Sequence, residues 1–215
     1  MKLYFDIETL PAGPESEPII REMFKKYRTT SFGPGAKDFD SFFRATSFDG
    51  AFGRILCIGY AVDDKPTKVF HADDEKQILK DFWKEAEKAE LFIGHNVFDF
   101  DLPFIYQRSI VHQVKPLRQI PLRRFTNDIV FDTYQEWTMW SRTHSKGSLD
   151  RLAKAFGLPS SKTDIDGSQV YDYFRAGKVK EILEYCKRDV ELTREIYKRL
   201  TFVSDDVKHQ APKYK

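Results

Sequence analysis

The sequence predicts an α/β fold, and three observations carry that expectation. Leu3 to Thr9 alternates in the manner of a strand. Short strand-like runs at 54–62, 68–71 and 91–94 are interleaved with helix-forming segments. From Ser148 onward the chain is mainly helical in pattern. Early strands with interleaved helices, followed by late helices, point to α/β, and periodicity alone goes no further.

The elements follow in order. In the first strand Leu3, Phe5 and Ile7 point one way and Tyr4, Asp6 and Glu8 the other, which predicts one apolar face. Residues 10–50 hold four of the ten prolines and four of the eleven glycines, and read as an insertion crossing the surface. Within it SEPIIREMFKKY suggests a short helix and SFGPGAKD a turn. Arg54 to Val62 is an apolar strand, and Lys68 to His71 is its candidate partner across the turn Asp63-Asp64-Lys65-Pro66. Asp74 to Lys88 has helix-forming composition, and Leu91 to Gly94 is a short buried strand. A helix follows from near Asp101 to Arg108, with Pro103 in its first turn. IVFDT is strand-like. Ser148 is a candidate N-cap for LDRLAKAF, which Gly157 stops. GSQVYDYFRAG is a short helix ending at Gly177. Lys178 to Leu200 is the longest helix. Val179, Ile182, Leu183, Cys186, Val190 and Thr193 give it a buried stripe. We expect one domain over 1–202, with the insertion at about 11–50 and a polar tail over 203–215.

The bulk numbers fit that domain. With 215 residues, 41% hydrophobic and 32% charged, the chain can bury a sizeable core. No apolar run approaches a membrane span. The opening MKLYFDIETL carries Asp6 and Glu8 in a short apolar stretch, unlike a signal peptide, so a cytoplasmic location is expected. Cys57 and Cys186 read as small buried hydrophobes in a reducing compartment. Two cysteines and five histidines without ligand spacing do not make a zinc cluster. A net charge of +2 neither announces nor excludes a nucleic-acid binder.

The chemistry lies in the acids. Asp6 and Glu8, two apart on a strand, share a face with Cβ atoms roughly 7 Å apart. Such a pair stays solvated, meets cations or binds metal. Asp189 lies one helical turn after Tyr185, on the same face. The third segment, GHNVFDFDLPF, places Asn96 five residues before Asp101 and Phe100 immediately before it. Each segment alone is weak, since an exposed strand edge or a solvated helix face would carry the same letters.

In order and spacing the three segments resemble the three motifs of the DEDD superfamily of 3′→5′ exonucleases. The matching text is Asp6-Ile7-Glu8, then Asn96 through Phe100-Asp101, then Tyr185-Cys186-Lys187-Arg188-Asp189. The resemblance is strongest to the proofreading domain of family B DNA polymerases and to stand-alone exonucleases related to it. It covers about residues 1–10 and 52–200. The histidine subclass has His five residues before the last acid, where this chain has Glu184; Tyr185 stands where the tyrosine subclass has Tyr. In the second motif both Asp99 and Asp101 follow Asn96. The family register selects Asp101, and Asp99 could instead cap the helix.

The resemblance implies a ribonuclease H-like fold, with a mixed central β-sheet flanked by α-helices. It implies hydrolysis of single-stranded DNA, or frayed 3′ ends, to 5′-mononucleotides. Two divalent ions, Mg²⁺ or Mn²⁺, would be held by Asp6, Glu8, Asp101 and Asp189, with Tyr185 positioning the attacking water. Asp6 would bridge, Glu8 and Asp189 would complete the water-activating site, and Asp101 would support the other. Thr9, Leu10, Asn96 and Phe100 are candidate nucleic-acid contacts. RNA remains an alternative substrate, and a non-catalytic binding module or an endonuclease on the same fold are the competing readings. Lys115, Arg118, Arg123 and Arg124 form a loop that either holds phosphates or is simply solvated. Lys162 matches a family lysine. Trp137 and Trp140 either stack on bases or sit in the core, and Asp132 is a candidate support for the metal ligands.

Overall fold

The computed structural model describes residues 1–27, 37–122, 128–141, 147–160 and 165–203. The elements run β1 (Lys2–Leu10), α1 (Glu17–Tyr27), α2 (Phe39–Ala45), β2 (Arg54–Val62), β3 (Lys68–Phe70), α3 (Glu75–Ala86), β4 (Leu91–Gly94), α4 (Asp101–Val111), β5 (Val130–Asp132), α5 (Thr133–Thr138), α6 (Leu149–Phe156), α7 (Val170–Arg175) and α8 (Val179–Leu200). The strands form one sheet in the order β3-β2-β1-β4-β5. β1 pairs antiparallel with β2, and β2 with β3; β1–β4 and β4–β5 are parallel. The sheet is therefore mixed, as expected, with β1 at its centre.

Helices cover both faces. Leu3, Phe5 and Ile7 of β1 pack with Ile78, Leu79, Phe82 and Trp83 of α3 and with Leu102, Phe104 and Ile105 of α4. Tyr4 points the other way and packs with Val190 and Tyr197 of α8. The expectation of one apolar face on β1 thus needs correction. Burying each large apolar side chain is worth about 1.5–3 kcal/mol, and α8 gains that benefit on the face that also carries the acids. Of the predicted stripe along α8, Ile182, Cys186, Val190 and Thr193 are buried, while Val179 and Leu183 are half-buried.

One glycine sets how closely α8 sits on the sheet. A Cβ at Gly59 of β2 would lie 2.8 Å from Cys186 Sγ and 3.0 Å from Val190 Cγ2. Its absence lets the helix lie against β2. β1 also carries a register shift between Glu8 and Thr9. Such a bulge re-aims the side chains beyond it.

The described parts of the 11–50 segment, 11–27 and 37–50, are more ordered than their composition suggests. Ala12, Ile20 and Phe42 are buried in a small apolar cluster with Met23, Phe24, Phe39, Phe43 and Phe52. α2 is an unforeseen helix, capped by Asp38, whose carboxylate accepts from Ser41 N–H. A short 3₁₀ turn, Thr46–Phe48, follows. The expected turn in SFGPGAKD falls mostly on residues outside those described.

Other expectations hold in type and differ in detail. Ser148 precedes α6 but makes no side-chain cap bond, while Gly157 takes the left-handed conformation of a helix stop, φ 68°. α5 had no helical pattern to announce it; Asp132 caps it by accepting from the N–H groups of Tyr134 and Gln135. Among the described residues no helix is long and apolar enough to cross a membrane.

Candidate active site

β1 presents Asp6 and Glu8 on the α8 face at the middle of the sheet, and α8 brings Tyr185 and Asp189 over them. Glu8, Asp101, Tyr185 and Asp189 are buried at 7%, 3%, 5% and 7% exposure. Asp6 keeps partial exposure. Asp101 arrives from the first turn of α4, and its Oδ1 accepts a 3.1 Å hydrogen bond from Ile7 N–H. Glu8, Thr9, Asn96, Phe100, Tyr185 and Asp189 line one groove of about 1190 Å³.

The second motif is built by an acid outside it. Asp132, at 0% exposure, ends β5. Its Oδ1 accepts from Asn96 N–H at 2.8 Å, Tyr134 N–H at 3.0 Å and Gln135 N–H at 3.3 Å; its Oδ2 accepts from Phe98 N–H at 3.1 Å. This hub holds the turn in which Asn96 takes a left-handed φ of 64°, a conformation that asparagine tolerates better than most residues. His95 hydrogen-bonds Thr133 Oγ1 at 2.9 Å, and burial pushes its pKa down to about 4, so it is neutral at neutral pH. Asp99 is exposed and does not cap α4. Its Oδ2 accepts from Gln135 Nε2 at 3.1 Å.

The electrostatics suit a cation. Burial, then Asp101, Asp189 and Glu8, push the Asp6 carboxyl well above the ordinary carboxylate range. Burial, then Cys57, Asp189 and Asp101, do the same to Glu8. Burial raises Asp101 to about 7, against the lowering effect of the Ile7 N–H. Carboxyls driven toward protonation by burial and by one another recover their charge when a divalent ion sits among them. Oxygen donors are what Mg²⁺ and Mn²⁺ prefer, so the residues present fit such ions. Ligand atoms of Asp6, Glu8 and Cys186 all lie within 4.8 Å of one another. Cys186 is buried, as expected, but it is more than filler: its Sγ lies 3.6 Å from the Asp6 carbonyl oxygen and 3.8 Å from Asp6 Oδ2. Burial, then the charges of Asp189 and Glu8, raise Tyr185 above its ordinary value, so it remains a phenol.

Several expected contacts are placed elsewhere. Leu10 is 3% exposed, in an apolar cluster with Leu56, Ile165, Val170, Ile182 and Tyr185, so its side chain does not reach the groove. Trp137 is not core: it is 38% exposed and edge-on to Phe156. Trp140 is half-buried against Phe98. In the basic loop, Arg118 hydrogen-bonds the carbonyl of Ala89, and Arg123, Arg124 and Lys162 lie outside the described residues. The groove also has walls that sequence reasoning missed, including Phe48, Arg151 and Lys154. The Thr46–Phe48 turn carries no motif that would have marked it; α6 lies within the stretch that resembles the family, and its Arg151 and Lys154 were not singled out.

The fold has a counterpart among solved structures. The structure of the family B DNA polymerase from Pyrobaculum calidifontis matches 93% of this chain with a TM-score of 0.60, at 21% identity and over 24% of the polymerase. That likeness shows the fold, which is ribonuclease H-like.

The chain belongs to the family described as a predicted 3′-5′ exonuclease related to the exonuclease domain of PolB, matched over residues 51–214. The match begins after β1, so Asp6 and Glu8 lie outside it. An uncharacterized protein of Methanocaldococcus jannaschii is 28% identical over 157 residues, covering 68% of this chain and 85% of its own length. A DNA polymerase of Archaeoglobus fulgidus is 23% identical over 161 residues, 68% of this chain and 20% of the polymerase. The chain thus spans about a quarter or less of the polymerases it resembles.

Proposed function

We propose that this chain is a metal-dependent 3′→5′ exonuclease of the tyrosine subclass, acting on single-stranded DNA or frayed 3′ ends and releasing 5′-mononucleotides. The observation that carries this reading is the convergence of Glu8, Tyr185 and Asp189 on one groove, with Asp101 bonded to the strand between Asp6 and Glu8. Two divalent ions bound there, Mg²⁺ or Mn²⁺, would supply a hydroxide at neutral pH and neutralise the leaving 3′-oxygen.

The chain's own residues do the rest. Asp6, at the centre of the sheet, would hold the ions together with Glu8, Asp189 and Asp101. Tyr185, held as a phenol, positions the attacking water by hydrogen bond. Thr9, Asn96 and Phe100 line the approach and contact the terminal nucleotides. Leu10 drops out of that role because its side chain is buried.

The test compares 3′- and 5′-labelled single strands of DNA and RNA, with Mg²⁺ or Mn²⁺ and with chelator. A 5′ label should pass down a descending ladder, and a blocked 3′ end should inhibit. Paired ends should be cut slowly and a 3′ mismatch faster, because unpairing precedes chemistry. Rapid cutting of circular single strands would show an endonuclease and overturn the polarity.

A further inference from the structure

The groove leading to the acids has two chemically different walls. One is α6. Its apolar residues Leu152 and Ala153 are buried against Leu192 and Ile196 of α8. That packing leaves Arg151 and Lys154, three residues apart and therefore neighbours on the helix, exposed and lining the groove. Lys154 Nζ sits 2.9 Å from Asp150 Oδ2, with the lysine 72% exposed. The lysine end of the pair is open to water while Asp150 is 22% exposed, so the ammonium can turn to another anion without being buried.

The other wall is the Thr46–Phe48 turn. Phe48 is 74% exposed, and its ring lies 5.9 Å from that of Phe100. The turn is fixed from behind. Thr9 Oγ1 donates to the Ser47 carbonyl at 2.8 Å, and Ala12 N–H donates to Thr46 Oγ1 at 2.8 Å. An apolar ring this exposed is thus held in place beside the end of β1 without being buried.

We infer that the groove is a single-strand track, with backbone phosphates running along Arg151 and Lys154 and a base stacked on Phe48. This rests on the proposed function and adds the path of the substrate. Two cations from α6 and an exposed aromatic from the turn match the two components of a strand, charged backbone and flat bases, and Asp150 and Asp166 line the groove as well. Stacking tolerates every base, so the track reads no sequence. The Phe48 and Phe100 rings are too close to admit a base between them, which leaves the free face of Phe48 as the platform.

The two walls give different signatures in one binding experiment. A fluorescent single strand is titrated into the whole protein over a range of salt, with Ca²⁺ in place of Mg²⁺. Arg151→Ala with Lys154→Ala should flatten the dependence of log affinity on log salt by about 1.4, since each phosphate contact on a single strand contributes about 0.7. Phe48→Ala should lower affinity about tenfold with the salt slope retained, and Phe48→Trp should restore it. A melting curve confirms that each variant is folded. Unchanged slope and affinity in variants of a protein that does bind and degrade strands would overturn the track and leave the proposed function standing. A wild-type protein that neither binds nor degrades strands would overturn the function itself.

Discussion

Ile7 N–H donates to Asp101 Oδ1 across 3.1 Å, tying the second motif to the peptide between the two acids of the first. The bond fixes where Asp101 points before any metal arrives. It also separates Asp101 from its neighbour in sequence, since Asp99 turns outward to Gln135.

Exchanging each acid for its amide should therefore rank them. Asp101→Asn should lower the rate more than about a hundredfold, because even the outer partners of metal ligands cost about 10–100-fold. Asp99→Asn should cost much less. Steady-state rates on a 5′-labelled strand decide it, and a reversed ranking would mean that Asp99 is the ligand.

Metal and proton should compete for the site. Asp101 rises from an ordinary 3.8 to about 7 in the folded, metal-free chain, so the folded state holds more protons than the unfolded state between those values. Stability from this group is present at low pH and is lost as pH rises through 7. With chelator, the melting temperature should be higher at pH 5 than at pH 8. Mn²⁺ should raise it more at pH 8 than at pH 5. A chelated protein whose melting temperature climbs steadily from pH 5 to pH 8 would contradict this account of the cluster.

Gly59→Ala tests the seat of α8. The new methyl would meet Cys186 Sγ at 2.8 Å and the Cys186 carbonyl oxygen at 3.1 Å. Overpacking of this kind costs about 1–3 kcal/mol. The helix should shift, carrying Tyr185 and Asp189 with it. Denaturant unfolding should show the lost stability, and the rate should fall below what the folded fraction explains.

Asp132→Ala should be the most destabilising of these changes. It would strand four backbone N–H groups, two of them in buried and two in part-buried bonds. Leaving even one buried donor unmet costs about 1–3 kcal/mol. Asp132→Asn keeps an acceptor for some of the four and should fall between Ala and wild type in urea midpoint. Equal midpoints for all three proteins would rule out the hub.

Much of this was legible from letters alone. The alternation of β1, the stripe of α8 and the spacing from Asn96 to Asp101 are local patterns, and the structure follows them. What was not legible depends on contacts distant in sequence. Tyr4 is buried because α8, far along the chain, lies over it. Leu10 continues the alternation of β1, yet Ile182 and Tyr185 of α8 close over its side chain. Trp137 reads as core from its place after the strand-like IVFDT but lies within the short helix α5 and is exposed. In the 11–50 segment the helix in SEPIIREMFKKY was legible, but the packing of its described residues comes from phenylalanines distant from one another in sequence.

The buried acids also bias how the protein would respond to selection. Metal-free, Asp6, Glu8 and Asp101 each work against the fold at neutral pH; burial raises Asp132 as well, but its carboxylate is met by four backbone N–H groups. Amides at the first three positions would relieve repulsion and yield a hardier but inert chain. A library sorted for heat resistance alone should therefore drift toward inactive variants, keeping Asp132 and discarding the acids to which we assign the chemistry.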